Sequence, residues 1–337
     1  MTILTTDWEK LYSGRHSHGP GSASIRVAPE GRLDISIACL FPGGDPCLWY
    51  TLSRDAYNES VHMPNLQSID VGFHELPGHP SKVRCQLRLA EAPLRDVFYA
   101  LVNDVVDDLS VAPDDVEAMR LLTTRLELWE QLLQPGDGRG MSPAKRRGLV
   151  GEILVLQELI RAHGPQSDAV FGWVGAAQQH QDFQYDDLAI EVKTTATLQP
   201  QTLSISSERQ LDGTAVGRLS LAHASLDERQ GGLGTSLNDI IEEVRNDLAP
   251  NPRGQQYFME NVFRLGWLPT DEALYTEPHY SLRSPLTWYE VTEGFPRITE
   301  AMCPEGVGKV SYSIQVAALA PFAVDGSEIV KAAVKVP

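Results

Sequence analysis

The sequence predicts an α/β or α+β chain: helices and strands mixed at its centre, a β-rich region before it and an α+β region after it. Three observations carry this. Alternating apolar runs separated by turn residues fill the first hundred positions. A capped helix followed by two hairpin-like strands, a further strand, a helix and another strand run from Ser142 onward. No internal repeat and no long low-complexity tract interrupts the order.

RLDISIACLF (32–41) and CLWYTLSR (47–54) are strand-like, with PGGDP as the turn between them. KVRCQLRLA (82–90) alternates Val83, Cys85, Leu87 and Leu89 with polar partners, as a half-buried strand does. RHSHGPGSAS (15–24) reads as a loop, its His16 and His18 as surface residues without a carboxylate or cysteine nearby. LRDVFYALVNDVVDDL (94–109) reads as a helix. After Pro113 a second helix places Met119, Leu122, Leu126, Trp129 and Leu133 on one face, with Asp114 and Asp115 in its first turn. PGDGRG (135–140) ends it, and no GK[ST] follows, so it is a break and not a phosphate loop.

Ser142-Pro143 opens the next helix as N-cap and first helical residue. It runs to about His163 with Leu149, Ile153, Leu156 and Ile160 on one face and Glu152 off that stripe. Gly148 and Gly151 remove bulk where a backbone or ligand can approach. Strands are expected at 181–185 and 188–195, turned by Asp186-Asp187, then at 202–206 and 217–226. SLNDIIEEVRNDL (236–248) and residues 255–265 are amphipathic helices, and 288–298 and 309–319 are late strands. The domain limits that follow are 1–112 (β-rich), 113–140 (connecting helix and linker), 141–235 (core) and 236–337 (α+β extension).

The composition is that of a globular protein, with 42% apolar and 22% charged residues in 337. No run approaches a membrane span of about 20 apolar residues. MTILTTDWEK lacks the basic start and apolar core of a secretory signal. Cys39, Cys47, Cys85 and Cys303 show no CxxC spacing, which suits reduced thiols. Cytoplasm is the compartment these features imply. The net charge of −17 opposes tight, unaided binding of nucleic acid. Residues 1–140 hold 20 acids and 12 bases and residues 201–337 hold 18 and 11, whereas 141–200 are nearly balanced at 7 and 5.

The chemistry concentrates in QDFQYDDLAIEVKTT (181–195). On the second strand Glu191 and Lys193 share one face with Ala189 and Thr195, while Ile190, Val192 and Thr194 take the other. Asp182 and Glu191, on neighbouring strands, suit a hard cation such as Mg²⁺ or Mn²⁺, with the Val192 carbonyl and a water held by Glu152 completing its shell. Lys193 would orient an attacking water and meet developing charge. Structural readings stand beside these. Asp followed by ExK can be a cross-strand ion pair on a solvated edge. Glu152 can pair with Arg146, and Ser207 with Gln210 fits an S-x-x-Q capping box. Lys145, Arg146 and Arg147 are a solvated helix start or a phosphate-steering patch; Arg297 binds phosphate or a structural carboxylate. His180 reads as a strand-start residue, and Trp173 and Trp288 as core aromatics.

Glu152 on a preceding helix, Asp182, and Glu191-Val192-Lys193 resemble the PD-(D/E)XK nuclease superfamily, with Gln181 in place of the usual proline. GLVGEILVLQELI, DF with IEVKTT, ISSERQL, YEVTEGFPRI and VSYSI are similar in order to a group of bacterial PD-(D/E)XK motif proteins, over roughly residues 80–320. The resemblance implies a restriction-endonuclease-like core over 141–235. It further implies that this core is a mixed β-sheet flanked by helices, and that the chain is a Mg²⁺-dependent DNA endonuclease in which Glu152, Asp182, Glu191 and Lys193 are catalytic. Gln210, besides its capping reading, stands just after the third strand, a position that allows substrate contact. Such proteins are encoded with methyltransferases and ATPases in phage-defence loci, so those subunits are expected partners, and double-strand cutting would ask for a homodimer. The rival expectations are a non-cleaving subunit that keeps the nuclease fold, and a metal-binding regulator.

Overall fold

The computed structural model describes all residues except 1–2, 14–19, 28–32, 58–62, 67, 134–139, 178–179, 215 and 335–337. His16, His18 and most of the glycine-rich break at 135–140 lie outside the described residues. The chain forms two compact units, Met1–Asp137 and Gly138–Pro337.

In the first unit, helix α1 (Thr5–Ser13) precedes an antiparallel sheet of β1 (Gly21–Arg26), β2 (Asp34–Phe41), β3 (Asp45–Ser53), β4 (Ile69–Glu75) and β5 (Lys82–Leu89), ordered β1-β2-β3-β5-β4. Period-two alternation puts Ile35, Tyr50 and Cys85 in one register row and Ile37, Leu48 and Leu87 in another, all buried. GSAS, expected in a loop, begins β1 instead: its small residues are mostly exposed on an edge strand and carry no apolar alternation to read. Helices α2 (Arg95–Ser110) and α3 (Asp115–Leu133) pack together, and Trp129 donates its indole N–H to Asp104 Oδ2 at 2.9 Å. Asp115 ties α3 to β3, accepting from the Tyr50 hydroxyl at 2.8 Å and the Ser53 N–H at 2.7 Å.

The second unit opens with α4 (Pro143–His163), capped by Ser142 Oγ on the Lys145 N–H and ended by Gly164 at a φ of 85°. Next come β6 (Phe183–Gln184), β7 (Leu188–Thr195), β8 (Thr202–Ile205), β9 (Arg218–Arg229), α5 (Leu237–Asp247), α6 (Pro252–Arg264), β10 (His279–Leu282), β11 (Thr287–Glu290), β12 (Tyr312–Gln315), β13 (Ala323–Val324) and α7 (Gly326–Ala333). The sheet runs β13-β11-β9-β7-β6, with β10 on the far end of β9; β7 and β9 are parallel and the other pairs antiparallel. Strands β10, β11 and β13, from 279–324, therefore complete the same sheet as β7 and β9, while β12 pairs with β8 in a separate two-stranded sheet. Buried on both faces from Leu219 to Ser225, β9 is a central strand. Helix α4 covers one face of β7, where a Cβ on Gly151 would strike Thr194 Cγ2. The other face holds a core of Ala189, Leu203, Ile205, Leu221, Tyr289 and Leu319. The late strands are shorter than expected: after Glu290 the chain leaves the sheet, and Val316–Phe322 is a 3-10 segment whose apolar residues do not alternate. Among the described residues, no helix is long and apolar enough to cross a membrane.

Candidate active site

Asp182 is the anchor of the site. Its main-chain carbonyl accepts the N–H groups of Val174 at 2.9 Å and Gly175 at 3.0 Å. Its Oδ2 accepts the Val192 N–H at 2.7 Å, doing at the edge of β7 what the two-residue β6 is too short to do. The N–H and C=O of a strand residue share an edge, so the Val192 carbonyl faces the same side. Glu152 approaches from α4, where Trp173 donates its indole N–H to Oε2 at 2.8 Å. A Cβ added to Gly175 would stand 2.9 Å from that same Oε2 and 3.4 Å from Asp182 Oδ1, so only glycine keeps the space between the two carboxylates open.

Glu191 and Lys193 stand on the face of β7 away from α4, two residues apart, with Nζ 2.6 Å from Glu191 Oε1. Both Glu191 oxygens are buried, and apart from the ammonium facing Oε1 neither meets a donor. Lys193 Nζ also donates to Gln210 Oε1 at 3.2 Å. The same oxygen accepts from the Ser206 N–H at 2.9 Å and the Ser206 hydroxyl at 3.1 Å. Gln181 supports this turn, donating to the carbonyls of Arg209 at 3.1 Å and Gln210 at 3.4 Å.

Burial sets the electrostatics. It pushes Glu152 up to about 8, helped by the Asp182 charge and opposed by Trp173 and Lys193. Asp182 is raised by burial against the pull of Lys193 and the Val192 N–H. Glu191 is raised well above the usual carboxylate range by burial and by Asp182. Burial alone would lower Lys193, but Glu191, Asp182 and Glu152 outweigh it and hold the ammonium charged. Three acids face one base, and burial, added to by their mutual repulsion, is what raises them.

Among the described residues, no three His, Cys, Asp or Glu side chains converge on one point as a metal cage. Glu152 meets Asp182 on the helix side, whereas Glu191 leans to Lys193 on the other. The donor set nevertheless fits a hard cation. It offers oxygen ligands only, an open cradle at Gly175, and a buried Glu191 Oε2 that lacks any donor.

The remaining expected residues divide. Gln210 lies in the site, and the capping box fails because Ser207–Leu211 form a turn and no helix follows. Lys145 is exposed at the helix start, Arg146 donates to the Glu277 carbonyl at 3.0 Å, and Arg147 pairs with Glu228 at 3.0 Å. None of these three touches the carboxylates, and Glu152 does not pair with Arg146. Arg297 donates to the Leu211 carbonyl at 2.8 Å, bracing the residue after Gln210. His180 is exposed in a bend before β6. Trp288 is a buried strand residue, while Trp173 is both buried and bonded to Glu152. Trp173, Gly175, Gln181 and Ser206 were not expected here. Their one sequence signal is position, close before Asp182 or before Gln210.

Helix, turn and strand pair thus define a PD-(D/E)XK-like α/β fold with acidic groups and one lysine gathered at a strand edge. Over residues 4–317 the chain matches the model of the family described as "Putative PD-(D/E)XK family member, (DUF4420)", and it belongs to that family. No curated protein and no solved structure matches it significantly.

Proposed function

We propose that the chain is a Mg²⁺-dependent DNA endonuclease, working in the cytoplasm as one component of a bacterial restriction or phage-defence system. The observation that carries this is the buried Glu191–Lys193 pair beside Asp182, with Glu191 Oε2 lacking a donor. Such a site is costly to a fold that has no use for it, because a buried carboxylate oxygen without a donor destabilises by about 1–3 kcal/mol. Asp182 Oδ1, Glu191 and the Val192 carbonyl would hold Mg²⁺ or Mn²⁺. When bound, the cation supplies charge neutralisation on the scissile phosphate and a water of lowered pKa. Glu152, fixed at Oε2 by Trp173, keeps Oε1 to hold a water. Lys193, steadied by Gln210, orients the attacking water and meets negative charge as it develops. The first unit serves recognition or assembly. With a net charge of −17, the chain relies on partner subunits, of the methyltransferase or ATPase kind, or on a second copy, for its grip on DNA.

The test is plasmid cleavage with Mg²⁺ or Mn²⁺ by wild type, Lys193→Ala and Asp182→Ala, each checked for folding by circular dichroism. Cleavage lost by about 10²-fold or more in both folded variants is expected. Cleavage that survives both substitutions rejects the site. A second reading, a subunit that keeps the fold without cutting, is favoured by one observation: the three carboxylates do not converge as they stand. Calorimetric titration with Mg²⁺ beside the cleavage assay separates the readings: an enzyme binds and cuts, a scaffold does neither, and a metal-binding regulator binds without cutting.

A further inference from the structure

On the sheet face that carries Glu191 and Lys193, one strand further in, lies a second cavity of about 320 Å³. Its walls include Gln201, His223, Ser225, Arg283, Thr287 and Tyr289. His223 is the register partner of Lys193 across the parallel β7–β9 pair, so the two side chains stand side by side, about 4.8 Å apart at the backbone. The ring is buried and bonded through Nε2 to Thr195 Oγ1 at 2.8 Å, which leaves Nδ1 with no protein partner. Ser225 Oγ accepts from Gln201 Nε2 at 2.7 Å, leaving its hydrogen to donate. Tyr289 adds a flat ring and a hydroxyl.

The lining selects against an anion. Its one formal cation, Arg283, is spent on the carbonyls of Thr197 at 2.7 Å and Ala196 at 2.8 Å and faces Asp227 at 3.7 Å. What remains is an alternation of neutral donors and acceptors beside an aromatic face, in a volume at the small end of ligand sites. We propose that this cavity receives a nucleobase, turned out of its stack, from the nucleotide whose phosphate lies against Lys193. Neutral hydrogen-bonding groups and an aromatic wall are what reading a base edge requires. The placement rests on the nuclease reading above; the cavity's affinity for a free base does not.

Two measurements on the full chain test it. The first is saturation-transfer NMR with the four free deoxynucleosides, without metal or DNA. The second is fluorescence of duplexes carrying 2-aminopurine at successive positions around the cut, held with Mg²⁺ and protected from cutting by phosphorothioate linkages. We expect binding of at least one nucleoside and a fluorescence rise at one position flanking the cleaved bond. Both should weaken by about tenfold or more in His223→Leu, which removes Nδ1. They should weaken likewise in Ser284→Trp, an exposed rim position that can block the mouth without disturbing the core. Failure of the nucleosides to bind, or binding unchanged from wild type in the variants, overturns the inference. So does a flat fluorescence profile in a protein that cuts DNA, and in each of these cases the nuclease reading stands. Nucleoside binding by a protein that cuts nothing refutes that reading, and with it the placement beside Lys193.

Discussion

A glycine's worth depends on what stands where its side chain would be, and α4 offers a matched pair. Gly148 faces open space, whereas a Cβ on Gly151 would collide with the stiff, branched Thr194. Gly148→Ala should stabilise by about 0.5–1 kcal/mol through the unfolded chain. Gly151→Ala should destabilise by about 1–3 kcal/mol by prising α4 off β7. Denaturant titration of the two variants checks both signs. His223 gives the pH dependence. Burial lowers its pKa from 6.5 to about 4, so the folded chain keeps it neutral. Its contribution is therefore complete above pH 6.5 and is lost as pH falls through about 4. It amounts to on the order of 3 kcal/mol. His223→Gln should flatten the stability profile between pH 6.5 and 4 relative to wild type, measured as the difference in unfolding free energy.

Among the elements, β6 is the instructive one. Two residues of pairing leave the edge of β7 open beyond Ile190, and the carboxylate of Asp182 closes it. Stability and chemistry can then be separated at one residue. Asp182→Asn keeps an acceptor for the Val192 N–H and should fold with near wild-type stability yet lose cleavage by about 10²-fold or more. Asp182→Ala should lose the same activity and a further 1 kcal/mol or so of stability. Equal stabilities in a thermal melt would show that the edge does not need this acceptor. What was legible in the sequence follows the same division. Helix α4 was readable because Ser142-Pro143 and its apolar stripe are local signals. Strand β7 was readable because alternation assigns Glu191 and Lys193 to one face. The partners that complete the site were not, since Trp173, Gly175 and Gln181 reach it through turns whose closure depends on tertiary packing. Gln210 was half legible: its position beyond β8 was noted, but S-x-x-Q has the same spelling whether or not a helix follows.

At the scale of the whole molecule, charge governs how the chain can meet DNA. The net −17 resides mainly outside residues 141–200, and Arg146 and Arg147 are committed to internal partners. Few cations remain near the site to contact phosphates. Isolated protein should therefore bind DNA weakly, with a log–log salt slope shallower than about −4, where a grip on many phosphates gives a far steeper one. Fluorescence anisotropy from 50 to 200 mM salt measures it, and a steep slope would mean that a basic surface has been overlooked. The clamp on Asp182 has a last consequence, for ion choice. With Oδ2 committed to a backbone amide, this aspartate can offer a ligand through Oδ1 alone and cannot chelate with both oxygens. Calcium, at home among six to eight loosely arranged oxygens and bidentate carboxylates, gains little from so stiff a donor. Small octahedral ions that take single oxygens and keep their waters lose nothing.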